Sequence, residues 1–280
     1  MAKLLPEIRF ERSAVMELPP VRPRLLLSVA RPAVAFAYHV SGKDLACFRY
    51  IPNEQDQPFD KFWAKVLFQH SDILGINFEQ VTVFLHSNHW ILHPDGLPKP
   101  DIFSYLGKAY SFNQPQRAAE QRLETFQNTL LFCYDDLMYQ AIHASFPQAA
   151  ENHILGRLIE IHADVHLKMN QKLTACIELI DDQFAYLIFN EGKLMFANLY
   201  AMSAPEDIVY YIFRVNQTLG INPKDIHVYV SGHWLQKTQV QQLIKTYFLN
   251  CHAVTNWLPP TGHLENQSFN TEDFAYLLMN

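Results

Sequence analysis

One segment of this sequence occurs twice, and few folds accommodate that. Leu74, Gly75, Ile76 and Asn77 precede a strand-like run from Val81 to Leu85, followed by Ser87, Asn88, His89 and Trp90. Downstream, Leu219, Gly220, Ile221 and Asn222 precede a run from Ile226 to Val230, followed by Ser231, Gly232, His233 and Trp234. An amphipathic helix leads into each tetrapeptide. In the first copy Pro58 opens a pattern with Phe59, Phe62, Trp63, Val66, Leu67, Ile73 and Leu74 on one face. In the second, Ser203 and Glu206 read as a capping box around Pro205, and Ile208, Tyr211, Ile212, Val215 and Leu219 share one stripe. Agreement in order, spacing and identity over so long a stretch argues for an internal duplication.

The similarity extends upstream, where three strand-like runs joined by short turns precede each helix. They are Leu25 to Ala30, Ala33 to Val40 and Asp44 to Ile51 in the first copy, and Leu173 to Ile180, Gln183 to Phe189 and Lys193 to Tyr200 in the second. Both copies therefore read βββαβ. A further helix follows each, Asp135 to Phe146 and Leu235 to Phe248, and a short one closes each, Ile154 to His162 and Glu272 to Met279. The expected division is a lead-in over residues 1–24, stiffened by Pro19, Pro20 and Pro23, a first half over 25–168 and a second over 169–280. Residues 94–128, with a polar helix-like run from Pro115 to Thr125, have no counterpart and read as an insertion. Right-handed crossovers then lead to an α/β fold of two subdomains with a cleft between them, floored by the turns after the first strand of each half.

Several chemistries are excluded by what is absent. The nine glycines never come closer than eleven positions, so the paired glycines of a dinucleotide fingerprint or a Walker loop do not occur. A net charge of -6 gives no basic surface for nucleic acid. Cys47, Cys133, Cys176 and Cys251 are widely spaced among apolar residues, fitting neither a disulfide framework nor zinc ligands, and so a reducing compartment. Residues 1–20 lack a signal-peptide core, and no run of eighteen apolar residues exists, so the chain reads as soluble and cytoplasmic, with no membrane partner. His86, His89 and His93, and His162 with His166, have spacings a metal could use, but no cysteine accompanies them and neither set matches a metalloprotease signature. No metal and no catalytic residue is assigned. Asp135 and Asp136 read as a helix start, and Asp181 and Asp182 as a solvated hairpin turn. Trp90, Tyr105, Tyr110, Phe112 and Trp257 fall in or beside irregular segments, where exposed aromatics favour a partner surface.

Tandem βββαβα halves are similar to the actin-like, ribonuclease H-like superfamily of actin, hexokinase and heat-shock-70 proteins, in which nucleotide occupies the cleft. A nearer resemblance is to the uncharacterised Bacteroidota family DUF3822, from about Leu25 onward. It is carried by Tyr134, Asp135, Asp136, Leu137 and Met138 through Phe146 and Pro147, by Ala204, Pro205, Glu206, Asp207, Ile208, Val209, Tyr210 and Tyr211, and by Leu219, Gly220, Val230, Ser231 and Gly232. For that family the resemblance implies an actin-like fold without an assigned activity. Actin-like ATPases hold phosphate on an Asp-x-Gly hairpin in each half, where the carboxylate orients metal-bound water and glycine lets N–H groups approach. Here the first hairpin reads Ser28, Val29, Ala30, Arg31, Pro32, and the second Glu178, Leu179, Ile180, Asp181, Asp182. Pro32 removes a donor and Ile180 stands at the glycine position. The residues left as nucleotide-binding candidates are Ser28, Arg31, Glu178, Ser231 and Gly232. Ser231 to Trp234 could line a pocket at a strand end, but a simpler reading, in which Ser caps, Gly turns and Trp packs, is preferred because the first half repeats the pattern. The sequence thus favours a non-enzymatic interaction or scaffold protein, without cofactor and with an unidentified protein partner or a second copy of itself. The competing reading is a nucleotide-binding switch or kinase-like ATPase that takes Mg-ATP on divergent loops.

Overall fold

The computed structural model describes residues 7–11, 23–40, 44–99, 101–109, 112, 115–169, 171–233, 237–253 and 274–278. Tyr110, Trp234, Trp257 and most of the proline-rich lead-in lie outside the described residues. The chain forms two compact units, Pro6–Arg157 and Leu158–Leu278.

The first unit is built on strands β1 (Ile8–Glu11), β2 (Arg24–Val29), β3 (Ala33–Val40) and β4 (Asp44–Pro52), helices α1 (Phe59–Gln69) and α2 (Ser71–Leu74), and strand β5 (Gln80–Leu85). It continues through β6 (His89–Pro94), α3 (Ile102–Ala109), β7 (Gln116–Leu123), β8 (Asn128–Asp135), α4 (Asp136–Ser145) and β9 (Ala150–His153) into α5 (Ile154–Met169). Its main sheet has the order β1-β4-β3-β2-β5-β9. The central strand β3 is buried on both faces, which explains its unbroken apolar run. Because β5 lies parallel to β2, the chain between them must cross a face of the sheet, and α1 supplies the crossing. Its buried residues Phe62, Trp63 and Val66 fall at helical spacing. The Trp63 indole N–H donates to the Ala141 carbonyl at 3.1 Å, which locks α1 to α4.

Two sequence expectations fail in this unit. The helix anticipated from Pro58 through Leu74 breaks at His70, whose φ of -122° is not helical, and resumes as α2. The helix-like run from Pro115 to Thr125 is strand β7, in a three-stranded sheet of order β6-β8-β7. Its partner β8 carries Leu130, Leu131, Phe132 and Cys133, all buried. Pairing with that apolar centre overrides the helical propensity of Gln116–Leu123.

The second unit comprises β10 (Leu173–Ile180), β11 (Gln183–Asn190), β12 (Lys193–Ala201), α6 (Pro205–Leu219), β13 (His227–His233), α7 (Lys237–Tyr247), β14 (Asn250–Ala253) and α8 (Ala275–Leu278). Its sheet order is β12-β11-β10-β13-β14, again an antiparallel meander whose first strand takes the post-helix strand in parallel. Ile177, Leu179, Phe184, Tyr186 and Ile188 form one core with Ile208 and Ile212 of α6 and Val240 and Ile244 of α7. Each fully buried isoleucine contributes about 2 kcal/mol. The expected Ser203–Glu206 box is not formed. Ala204 is the N-cap, with Pro205 first in the helix, so the residue at the third helical position is Asp207, whose carboxylate accepts the Ser203 and Ala204 N–H groups at 2.7 and 3.0 Å.

The repeated Leu-Gly-Ile-Asn serves two geometries. Gly220 ends α6 at φ +66°, in the left-handed region, whereas Gly75 lies at φ -81°, where a Cβ would meet the Ser71 carbonyl oxygen at 2.4 Å. Cys47, Cys133 and Cys176 are buried free thiols and Cys251 is half-buried. No helix among the described residues is long and apolar enough to cross a membrane.

Ser231, Gly232 and His233 are not a turn after β13 but its last three ladder residues, paired with Glu178, Leu179 and Ile180. This corrects the reading of Ser231 as a cap. Gly232 has φ +93°, and a Cβ there would stand 2.1 Å from the Leu179 carbonyl oxygen. Gly232→Ala is therefore expected to cost at least about 2 kcal/mol in urea unfolding, while Gly96→Ala, where a Cβ meets nothing within 4 Å, stays within about 0.5 kcal/mol.

Candidate functional site

Both meanders place a side chain three residues before the hairpin turn so that it faces the end of the parallel neighbour. In the first unit that residue is Ser28, buried, whose hydroxyl is 2.8 Å from His86 Nε2. The turn itself is Arg31 and Pro32, closed by the Ala30 N–H donating to the Ala33 carbonyl at 3.0 Å. Arg31 is exposed. A cleft of about 340 Å³ opens beside it, lined by Arg31, Phe59, Asp60, His86, Gln116, Tyr134 and Asp135 among others. The cleft lies at the C-terminal ends of β2 and β5, the usual ligand position in an α/β sheet.

Its chemistry suits phosphate poorly. The N-terminus of α4 points a helix dipole at this region, but Asp135 already accepts the Leu137 N–H at 2.9 Å and brings its own negative charge. Asp60 adds a second carboxylate, leaving Arg31 as the lining cation. Sequence reading missed most of these walls, because Gln116 and Tyr134 belong to β7 and β8, one misread as helix and the other unanticipated. It also missed His153, buried behind the cleft with Nε2 on the Ser87 carbonyl at 2.8 Å and Nδ1 accepting the Leu155 N–H at 3.1 Å. Burial outweighs the hydrogen bond to Ser87 and holds His153 neutral, its pKa lowered to about 3.

In the second unit the residue three before the turn is Glu178. It is 2% exposed, accepts the Ser231 hydroxyl hydrogen, and lies 3.3 Å from His162 Nε2. Three residues from separate parts of the sequence thus meet: Glu178 and Ser231, both nucleotide candidates, and His162, whose spacing to His166 suits a metal. Burial alone would drive the His162 proton off, but the neighbouring Cys176 sulfur and the Glu178 carboxylate outweigh it and raise the pKa of His162 above its ordinary 6.5. Beside them, Asp181 is buried rather than solvated, its carboxylate 3.2 Å from His233 Nε2. His233 stacks on Phe274 at 4.3 Å between centroids.

The remaining histidines with metal spacing have protein partners. His166 Nε2 accepts the Gly192 N–H at 3.2 Å, so Nδ1 carries the proton and donates to Thr174 Oγ1 at 2.6 Å. His93 Nε2 contacts the Leu97 carbonyl at 3.1 Å. His89 meets Phe112 edge-on at the start of β6, in a setting unlike that of its sequence counterpart His233. Among the described residues, no three His, Cys, Asp or Glu side chains converge as a metal site.

Compared with known proteins, residues 25–251 match the family described as protein of unknown function (DUF3822). The chain belongs to the DUF3822 family. A Bacteroides thetaiotaomicron protein of actin-like ATPase fold and unknown function is 15% identical, with a TM-score of 0.76 over 86% of this chain and 93% of that one. A chain of the PilM–PilN type IV pilus biogenesis complex is 11% identical, with a TM-score of 0.58 over 93% of this chain and 97% of that one. No curated protein matches the sequence significantly. This DUF3822 protein therefore has an actin-like ATPase fold, as the repeat and the resemblance led one to expect.

The His162 proton gives the fold a pH signature. A group whose folded pKa is raised contributes stability that is complete below its unfolded value near 6.5 and is lost as pH rises through the folded value. Urea unfolding between about pH 7 and about pH 9 is expected to show falling stability, and His162→Gln is expected to flatten that slope. An unchanged slope in the variant would show that His162 is neutral in the folded protein.

Proposed function

We propose that this protein is a non-enzymatic interaction or scaffold module, arisen by internal duplication, whose former phosphate hairpins now hold its own sheets together. The observation that carries this reading is the fate of Glu178. An ATPase needs a hairpin carboxylate free to orient metal-bound water beside open N–H groups. Here the carboxylate is buried, and its Oε2 is engaged from inside by the Ser231 hydroxyl and His162. Gly232, the remaining candidate on that side, lies with its backbone pressed against Leu179 instead of facing open space. In the other unit Pro32 has no N–H to offer, and Arg31 shares the lining of the cleft with two carboxylates, Asp60 and Asp135. These residues do not fit Mg-ATP. Halves at residues 25–168 and 169–280, and a reducing cytoplasmic setting for four free thiols, complete the reading. That a chain of this fold occurs in the PilM–PilN complex supports a role in assembling with protein.

One observation favours a second reading. The cleft beside Arg31 is large enough for a small polar ligand, which a nucleotide-binding switch would use. Thermal melts with saturating Mg-ATP separate the two. The expected result is an unchanged melting temperature and no phosphate release above a buffer blank. A ligand at a hundred times its dissociation constant would instead add about 2.7 kcal/mol. Turnover abolished by Glu178→Ala would restore the ATPase reading.

A further inference from the structure

The third strand of each meander carries a β-bulge at the same place. In β4 the pairs Tyr38 with Cys47 and His39 with Leu45 leave Ala46 over, and in β12 the pairs Ile188 with Phe196 and Phe189 with Leu194 leave Met195 over. The four residues after the bulge in β4, Cys47 to Tyr50, are covered along their outer edge by β1, antiparallel, from Ile8 opposite Tyr50 to Glu11 opposite Cys47. The corresponding four residues in β12 are Phe196, Ala197, Asn198 and Leu199. Among the described residues no strand covers them, and β12 is the outermost strand of its sheet.

This edge lacks the usual protection. The other outermost strands of the two main sheets, β1, β9 and β14, have four residues each, whereas β12 has nine, and its one charged residue, Lys193, stands at its far end. Natural edges are kept short, charged or covered because open N–H and C=O groups recruit other strands. Exposed apolar side chains lie on and near it: Met195 in the strand itself is 42% exposed, Tyr210 63%, and Leu167, beside Gly192 at the turn before it, 61%. Tyr210 adjoins Tyr211, which stacks on Tyr200 of β12 itself. At the centre of the edge, Asn198 Oδ1 accepts the Leu199 N–H at 2.9 Å. That bond marks the Leu199 N–H as turned away from β11, and with period two the Ala197 N–H shares its direction.

We propose that β12 pairs antiparallel with β12 of a second copy of this chain, about a two-fold axis at Asn198. The side chains favour a copy over an arm of the β1 kind, in which Ile8 and Phe10 alternate with Arg9 and Glu11. Phe196 and Tyr200 lie on the core side of β12 with Asn198 between them, so Ala197 and Leu199 occupy the opposite face, and Asn198 is the one polar side chain of the five. Self-pairing sets Phe196 across from Tyr200 and small Ala197 across from larger Leu199, each twice, with Asn198 facing itself, and the Leu199 N–H exchanges Asn198 Oδ1 for the Ala197 carbonyl of the second copy. Aromatic pairs and balanced volumes stabilise such a ladder, and no like charges are opposed. β12 supplies no residue of either phosphate hairpin, so its pairing is independent of their fate.

The test uses the full chain. Light scattering at about 100 μM is expected to give about 65 kDa, twice the chain's 32.5 kDa. Ala197→Pro removes an outward N–H without touching the ladder to β11 and is expected to weaken the dimer at least about tenfold with an unchanged circular dichroism spectrum. Asn198→Cys places two thiols on the axis, and mild oxidation is expected to link the copies, whereas Lys193→Cys stays monomeric on non-reducing gels. If Ala197→Pro misfolds, the cross-link still decides. A monomer with no link through residue 198, or a dimer indifferent to both substitutions, overturns the proposal. So does an Asn198→Cys chain that links only to a different protein in extract, which would give the edge to a heterologous strand.

Discussion

Parallel pairing of the first strand of each meander with the strand after the helix is the constraint on which the rest of the structure depends. Two parallel strands cannot be joined by a tight turn, so a helix has to cross the sheet between β2 and β5 and between β10 and β13. That requirement selects the apolar stripes of α1 and α6, fixes which face of each sheet becomes core, and brings the end of the fourth strand beside the first hairpin. Whatever chemistry either unit has at its hairpin follows from this juxtaposition. Ser28 meets His86 for this reason, and Glu178 meets Ser231.

Where two such strands meet, a polar residue has two possible uses. It can face open space and serve a ligand, or turn inward and satisfy its neighbours. A buried carboxylate without partners is costly, so once Glu178 lies inside, Ser231 and His162 become structural necessities. The phosphate role and the packing role compete for the same oxygen atoms. A carboxylate bound from within also ties β10, β13 and α5 together at one point, which a solvated catalytic carboxylate would not do.

The elements legible in the sequence were those governed by local pattern and turn residues. β3 and β10 run from the first to the last residue that apolar runs and turn residues indicated, Ala33–Val40 and Leu173–Ile180. α4 starts where Asp135 predicts an N-cap. Elements set by distant partners were not legible. β7 carries helix-compatible residues, and only the apolar strand β8 beside it decides otherwise. β9 and β14, four residues each, are too short to show a period and exist because a parallel neighbour has an open edge. Glu178, Ser231 and His162 could each be suspected of chemistry from their residue types. Their mutual contact could not be, because 53 positions separate the first two and burial, not spacing, determines which way they turn.

The environment of the cysteines has a consequence for how the protein meets oxidants. Burial pushes the Cys47 thiol up to about 12 and Cys133 up to about 11, and raises Cys251 as well. Thiolate is the form that attacks peroxides, disulfides and alkylating reagents. At neutral pH a thiol of pKa about 11 is ionised in about one molecule in ten thousand. These three sulfurs therefore stay thiols toward oxidants and alkylating reagents that would modify exposed, acidic cysteines.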